Sequence, residues 1–179
     1  VIPRVVAGGR AIYRGKISRD EAEARIDGFW RPYHDVLRQL METARAGHGE
    51  AVLIDVHSMP HEAMDSIGST GLRRPDVVLG DRFGTSASGQ VMERVEAAFA
   101  RAGLRTMRNT PFAGAYIAQT YGQPARGFHA IQVEIDRSLY MNEREIRPNG
   151  NFMSFRRTLQ AVLAEIALIG RGEMPLAAE

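Results

Sequence analysis

Two periods of hydrophobic spacing run through this chain. From position 18 to about 47, apolar residues recur every three to four positions: Ala22, Ile26, Phe29, Tyr33, Val36, Leu37, Leu40 and Met41. That period predicts a long amphipathic helix. Ser18, with Glu21 three positions on, reads as a capping box at its start. Pro32 falls inside it and predicts a kink or a division in two, because proline lacks an N–H and crowds the preceding turn. The same period predicts helices over 88–102, closed by Gly103, and over 150–169, where Phe152, Phe155, Leu159, Val162, Leu163 and Ile166 share a face.

Between the helices the pattern shortens to strand-length runs. Ala51 to Val56 reads as a buried strand between Gly49 and His57-Ser58-Met59-Pro60. Asp76 to Gly80, Leu104 to Arg108 and His129 to Arg137 read as three more. In the last, Gln132, Glu134 and Asp136 alternate with Ile131, Val133 and Ile135, so the two sets face opposite ways. Residues 60–75 read as loop, with Gly68, Gly71 and Pro75 as breakers. Residues 109–127 read as an ordered but irregular loop. Strands alternating with helices predict an α/β, three-layer fold with a mixed or mainly parallel sheet flanked by helices. With no repeat, low-complexity tract or linker, residues 1–179 read as a single domain. Its opening residues, Val1-Ile2-Pro3-Arg4-Val5-Val6, lack an initiator methionine. Natural sequence is expected to precede them, leaving the domain incomplete at its N-terminus.

Composition narrows the chemistry. There is no cysteine, which excludes disulfides, thiolate ligands and a cysteine nucleophile. Any metal must be held by His, Asp or Glu. No apolar run approaches the length of a membrane span and no signal peptide is visible. The absence of cysteine fits a cytoplasmic protein, which is the expected location. The formal charge is only +2, and Lys16 is the sole lysine. The high pI of 9.3 therefore reflects arginine, which titrates far above neutrality. The arginines are dispersed apart from Arg73-Arg74 and Arg156-Arg157, so nucleic acid is not an expected partner. Arginines that grip carboxylates suit this composition better.

Several residues could carry chemistry. His57 falls at the expected end of the first strand, two positions from Asp55. It either closes the strand through a hydrogen bond or meets a ligand beyond the strand ends. Glu134 is a charge inside an apolar strand, either on a solvated edge face or poised as a general base. In the loop 109–116, Gly114 permits close backbone approach, while Asn109 and Tyr116 offer polar groups; a plain tight turn is the alternative. Arg82 and Arg137 are candidate carboxylate clamps, or a surface arginine and a partner of Asp136. His129 opens the Glu134 strand and could bond substrate. His61 and Asp65, four positions apart, could recruit a metal.

Five stretches, taken in order, resemble the N-formylglutamate amidohydrolase family. They are Arg31-Pro32-Tyr33-His34, Leu53-Ile54-Asp55-Val56-His57-Ser58-Met59-Pro60, Leu79-Gly80-Asp81-Arg82-Phe83-Gly84, Asn109-Thr110-Pro111-Phe112-Ala113-Gly114, and the run from His129 to Met141. The resemblance implies a fold similar to the zinc carboxypeptidases and aminoacylases (phosphorylase/hydrolase-like). It implies one zinc held by two histidines and a glutamate, with His57 matching the later zinc histidine. Glu134 matches the glutamate that activates the metal-bound water. The implied reaction converts N-formyl-L-glutamate, a small-molecule substrate, to formate and L-glutamate in histidine degradation. The family's upstream Pro-His-Ser motif and following acidic motif, which carry the other two ligands, have no counterpart here. Two other expectations remain open: an amidohydrolase for a related N-acyl amino acid or peptide, and a non-catalytic carboxylate-binding module that has lost its metal.

Overall fold

The computed structural model describes residues 3–5, 9–65 and 73–169. Gly68 and Gly71, read above as loop breakers, lie outside the described residues. The chain forms two compact units, Val1–Leu40 and Met41–Glu179.

In the first unit, α1 spans Arg19–Arg25 and a π-helical turn spans Ile26–Trp30. Helix α2 begins at Arg31 and runs to His48. Ser18 caps α1 as expected, its hydroxyl accepting from the Glu21 N–H at 3.1 Å. The Glu21 carboxylate turns to Arg25. Pro32 produces no break. Instead the turn before it widens, and the Arg31 N–H reaches back five residues to the Ile26 carbonyl. Proline cannot donate, and its ring would collide with the carbonyl four residues earlier; a π turn relieves both.

The second unit is built on a four-stranded sheet in the order β1-β4-β2-β3. Its strands are β1 (Ala51–Met59), β2 (Val77–Gly80), β3 (Thr106–Arg108) and β4 (Phe128–Asp136). β1 runs parallel to β4, β4 antiparallel to β2, and β2 parallel to β3. Helices α3 (Gly89–Arg101) and α5 (Phe152–Ile166) flank it. The mixed α/β fold class is the expected one. Three details differ. The loop 109–127 contains a short helix α4 (Tyr116–Tyr121), and a two-residue hairpin, β5 (Met141–Asn142) with β6 (Arg147–Pro148), precedes α5. β1 also continues three residues past Val56. It pairs with β4 along its whole length, from Ala51 opposite Phe128 to Met59 opposite Asp136. His57 thus lies inside a strand and not at its end. Local hydrophobicity falls after Val56, but ladder hydrogen bonds to β4 hold the backbone extended regardless.

The two sheet faces differ in kind. On one, Val77, Leu79, Ile131, Val133 and Ile135 pack with Val91, Met92, Val95, Ala98 and Phe99 of α3 and with Val162 and Ile166 of α5. This is the main core. The other face carries a small cluster, Met59, Met64 and Val78. That face also carries the buried apolar residues Ala51, Leu53 and Ala130, and it turns polar only over the C-terminal halves of β1 and β4, with Asp55, His57, Gln132, Glu134 and Asp136.

Asp76 anchors the inner end of β2. It accepts from the Arg105 main-chain N–H (2.8 Å), from Nε (3.0 Å) and from Nη2 (2.9 Å). Burial alone pushes its carboxyl up, but the hydrogen bonds and charge of Arg105 outweigh this and hold it below the usual carboxylate range. The pair therefore stabilises the fold above the unfolded carboxyl's pKa, and that contribution disappears as pH falls through the depressed folded value. Asp76→Asn should cost about 1.5 kcal/mol at neutral pH, the low end for bonds to charged groups, because Arg105 is half exposed. Chemical denaturation of both proteins across pH checks this; a gap that stays constant into acid would rule out the ionic origin.

Candidate active site

Strand register assembles the site. Partner residues in the ladder share a face, and the β1–β4 register sets Asp55 beside Gln132, His57 beside Glu134 and Met59 beside Asp136. The β4–β2 register adds Val78 beside Glu134 and Gly80 beside Gln132. Imidazole, carboxylates and amide thus converge on the face that the helical core leaves uncovered.

Glu134 is half-buried. Desolvation pushes its carboxyl up from the ordinary range; His57, the hydrogen bond from Gln132 and the charge of Arg137 pull it back, and Asp55 adds to the rise. A carboxylate so placed holds a proton more readily than one in water, which suits a general base that must also return the proton. His57 is half exposed, and its Nε2 lies 3.0 Å from Asp55 Oδ2. A carboxylate there favours the proton on Nε2 and leaves the Nδ1 lone pair for a ligand.

Glycine lets a loop lie on this face. A Cβ on Gly80 would sit 2.6 Å from the Ala113 carbonyl carbon and 2.6 Å from the Gly114 nitrogen. With no side chain there, the segment 113–115 rests directly against β2. The Arg82 N–H donates to the Ala113 carbonyl (2.7 Å), and the Ala115 N–H donates to Gln132 Oε1 (2.9 Å). Three non-glycine residues beside this contact have left-handed backbones: Arg82 (φ 54°), Phe83 (φ 57°) and Asn109 (φ 61°). Asn109 secures the turn. Its Oδ1 accepts from the N–H groups of Asp81 (3.1 Å) and Phe83 (3.3 Å), and its Nδ2 donates to Asp81 Oδ1 (2.8 Å). Strained backbone held by several bonds is a common feature of binding sites.

The candidates do not all meet. Arg82 and Gly114 lie together, with Arg82 Nη1 donating to the Gly114 carbonyl at 3.3 Å. Tyr116 is exposed at the start of α4. Arg137 follows β4 and grips the end of β1, donating from Nε to Ser58 Oγ (3.3 Å) and from Nη2 to the Ser58 carbonyl (3.2 Å). His129 points the other way. It lies five residues from Glu134, an odd number, and its buried Nδ1 accepts from the Ser88 N–H at 3.2 Å before α3, with Nε2 3.4 Å from Glu50. His61 and Asp65 are bridged by an arginine cation: Arg74 Nη1 lies 2.7 Å from His61 Nε2 and Arg74 Nη2 lies 2.8 Å from Asp65 Oδ1, while His61 Nδ1 lies 2.7 Å from Asp136 Oδ2. Gln132 was not among the sequence candidates, although its even spacing from Glu134 places it on the same face.

Among the described residues, no group of three or more His, Asp or Glu could hold a metal ion. His57 has the chemistry of one zinc ligand and Asp55 that of its orienting partner, but the described residues do not fit a complete zinc centre.

An α/β sheet presenting a paired histidine and carboxylate offers a site that could carry acid–base chemistry, although a fold alone does not fix a function. A family model for N-formylglutamate amidohydrolase matches residues 1–141. The N-formylglutamate deformylase of Pseudomonas putida is 32% identical over 154 residues, which cover 82% of this chain and 57% of that protein. The Pseudomonas aeruginosa deformylase is 32% identical over 145 residues, covering 79% and 53%. The crystal structure of N-formylglutamate amidohydrolase from Ralstonia eutropha JMP134 matches with a TM-score of 0.82 at 32% identity, over 94% of this chain and 61% of that one. The chain belongs to the N-formylglutamate amidohydrolase family. It spans little more than half the length of the curated relatives it matches.

Proposed function

We propose that the face shared by β1 and β4 serves hydrolysis of N-formyl-L-glutamate to formate and L-glutamate. The family match, together with His57 and Glu134 at one register position, supports this reading most. Glu134 takes a proton from the attacking water as its oxygen adds to the formyl carbon and the carbonyl electrons move to oxygen. When the C–N bond breaks, Glu134 returns the proton to the departing amine. Arg82 and Arg137 hold the substrate carboxylates, with Asn109, Gly114 and Tyr116 shaping the wall beside them. His129, on the opposite face, supports the β4–α3 junction and acts on substrate at most through it.

Zinc dependence belongs to the same proposal. His57 would supply one ligand, and the others would come from outside the described residues; no step above passes through the metal. Cytoplasmic placement and a role in histidine degradation are further parts of it. No helix among the described residues is long and apolar enough to cross a membrane.

Formate release from N-formyl-L-glutamate, measured with metal content and with or without a chelator, tests the proposal. Chelator-sensitive release, stronger than with acetyl- or succinyl-glutamate, is expected. Preference for another acyl group would transfer the site to a related amidohydrolase. Carboxylate binding indifferent to chelator, with no turnover at any zinc concentration, would make it a binding module.

A further inference from the structure

We infer that Gln132 is a positioning residue: the Ala115 N–H locks its amide in one orientation, so that it aims an N–H at Glu134 Oε1 and fixes where the second carboxylate oxygen points. The role assigned to Glu134 rests on the proposed function; the geometry does not.

Gln132 is a buried polar side chain, only 6% exposed. Both ends of its amide are engaged, Oε1 by the Ala115 N–H at 2.9 Å and Nε2 by Glu134 Oε1 at 3.0 Å. The two nitrogen–oxygen assignments of a glutamine are often ambiguous, but here they are not. A backbone N–H can only donate, so the amide atom facing Ala115 must be oxygen. The NH2 group must then face Glu134, which as a carboxylate can only accept. Donation runs one way, from Ala115 through Gln132 to Glu134.

This relay has a consequence for proton transfer. An N–H directed at Oε1 occupies one of its two lone pairs and makes it the less basic of the two oxygens. A proton taken up by Glu134 therefore favours Oε2, and the carboxyl does not have to rotate before giving it back. The relay depends on Gly80, because the loop that supplies the Ala115 N–H can reach Gln132 only where β2 carries no side chain. An apolar packing residue at position 132 would need neither bond.

Gln132→Met keeps length and volume but cannot donate and accepts only weakly through sulfur. Gln132→Glu keeps the acceptor for Ala115 and turns a second carboxylate oxygen toward Glu134. In the labelled 179-residue chain at one fixed alkaline pH, NMR should show hydrogen-bond couplings from the Ala115 nitrogen to the Gln132 amide carbon, and from Gln132 Nε2 to the Glu134 carboxylate. Gln132→Met should lose both and leave the Glu134 side chain more mobile, with the fold intact by circular dichroism. In protein that releases formate, kcat should fall by up to about 100-fold, as for a small misplacement of a reacting group, with KM nearly unchanged. Gln132→Glu should lose more. Should the parent protein turn nothing over, the proposed function fails while the NMR comparison still decides the relay. Missing couplings, or unchanged Glu134 order and kcat in a folded Gln132→Met protein, would overturn the inference and reduce Gln132 to packing. If Gln132→Met fails to fold, the couplings in the parent chain and the Gln132→Glu comparison decide.

Discussion

Under the proposed function, replacing Glu134 with glutamine should lower formate release from N-formyl-L-glutamate by a factor of roughly 10² to 10⁴, the usual contribution of a positioned general base. Glutamine keeps the shape and can still accept from Gln132 through its carbonyl oxygen, so the relay is preserved while the base is removed. KM should change little, because the loss falls on the transition state. The same substitution should make the chain more stable at neutral pH. Desolvation leads the rise of the Glu134 carboxyl. A group whose folded pKa is raised favours the fold fully below its unfolded pKa, and that advantage is lost as pH rises through the folded value. The parent chain thus holds a disfavoured charge at neutral pH, and the variant does not. Thermal denaturation at several pH values should show the variant ahead at neutral pH and level with the parent in acid. Full activity in Glu134→Gln would remove Glu134 from the mechanism; lower stability at neutral pH would show that the carboxylate is better compensated than its surroundings indicate.

Gly80→Ala is the second large effect. The added methyl would meet backbone atoms of Ala113 and Gly114 at 2.6 Å, inside any real contact distance. Flexible side chains can step aside from such a clash, but a loop backbone cannot. The Arg82–Ala113 and Ala115–Gln132 bonds both depend on that approach. Overpacking usually costs 1–3 kcal/mol, and a collision with backbone should reach the top of that range, about 3 kcal/mol. Because the segment 113–115 also locks the Gln132 amide, turnover should fall further than stability alone explains. Urea denaturation and kinetics on the folded fraction separate the two losses. A variant as stable as the parent would show that the loop lies farther from β2 than described.

Particular residues show how far local pattern carries. The 3.6-residue period located α3 and α5 to within a few positions, because the helical core needs one apolar stripe on each. The period-two alternation of β4 placed Gln132, Glu134 and Asp136 on one face. It also carried the signal that His129, five residues from Glu134, faces the other way; parity excludes it from that face. The kink expected at Pro32 became a π turn, since propensity states only that the normal hydrogen bond fails, not how the backbone recovers. β1 runs three residues beyond its apolar run because its end is held by pairing with β4, a partner 77 positions away in the chain.

The sequence by itself determined the α/β class, the identity of the chemical groups and the family, since periodicity and motif order are properties of neighbours along one chain. Only the tertiary structure decided that His57 stands beside Glu134, that Gly80 exists to admit a loop, and that Gln132 connects that loop to the carboxylate. Those relations are set by strand register and by contacts between segments distant in sequence, and no local pattern encodes which residue of one strand will lie opposite which residue of another.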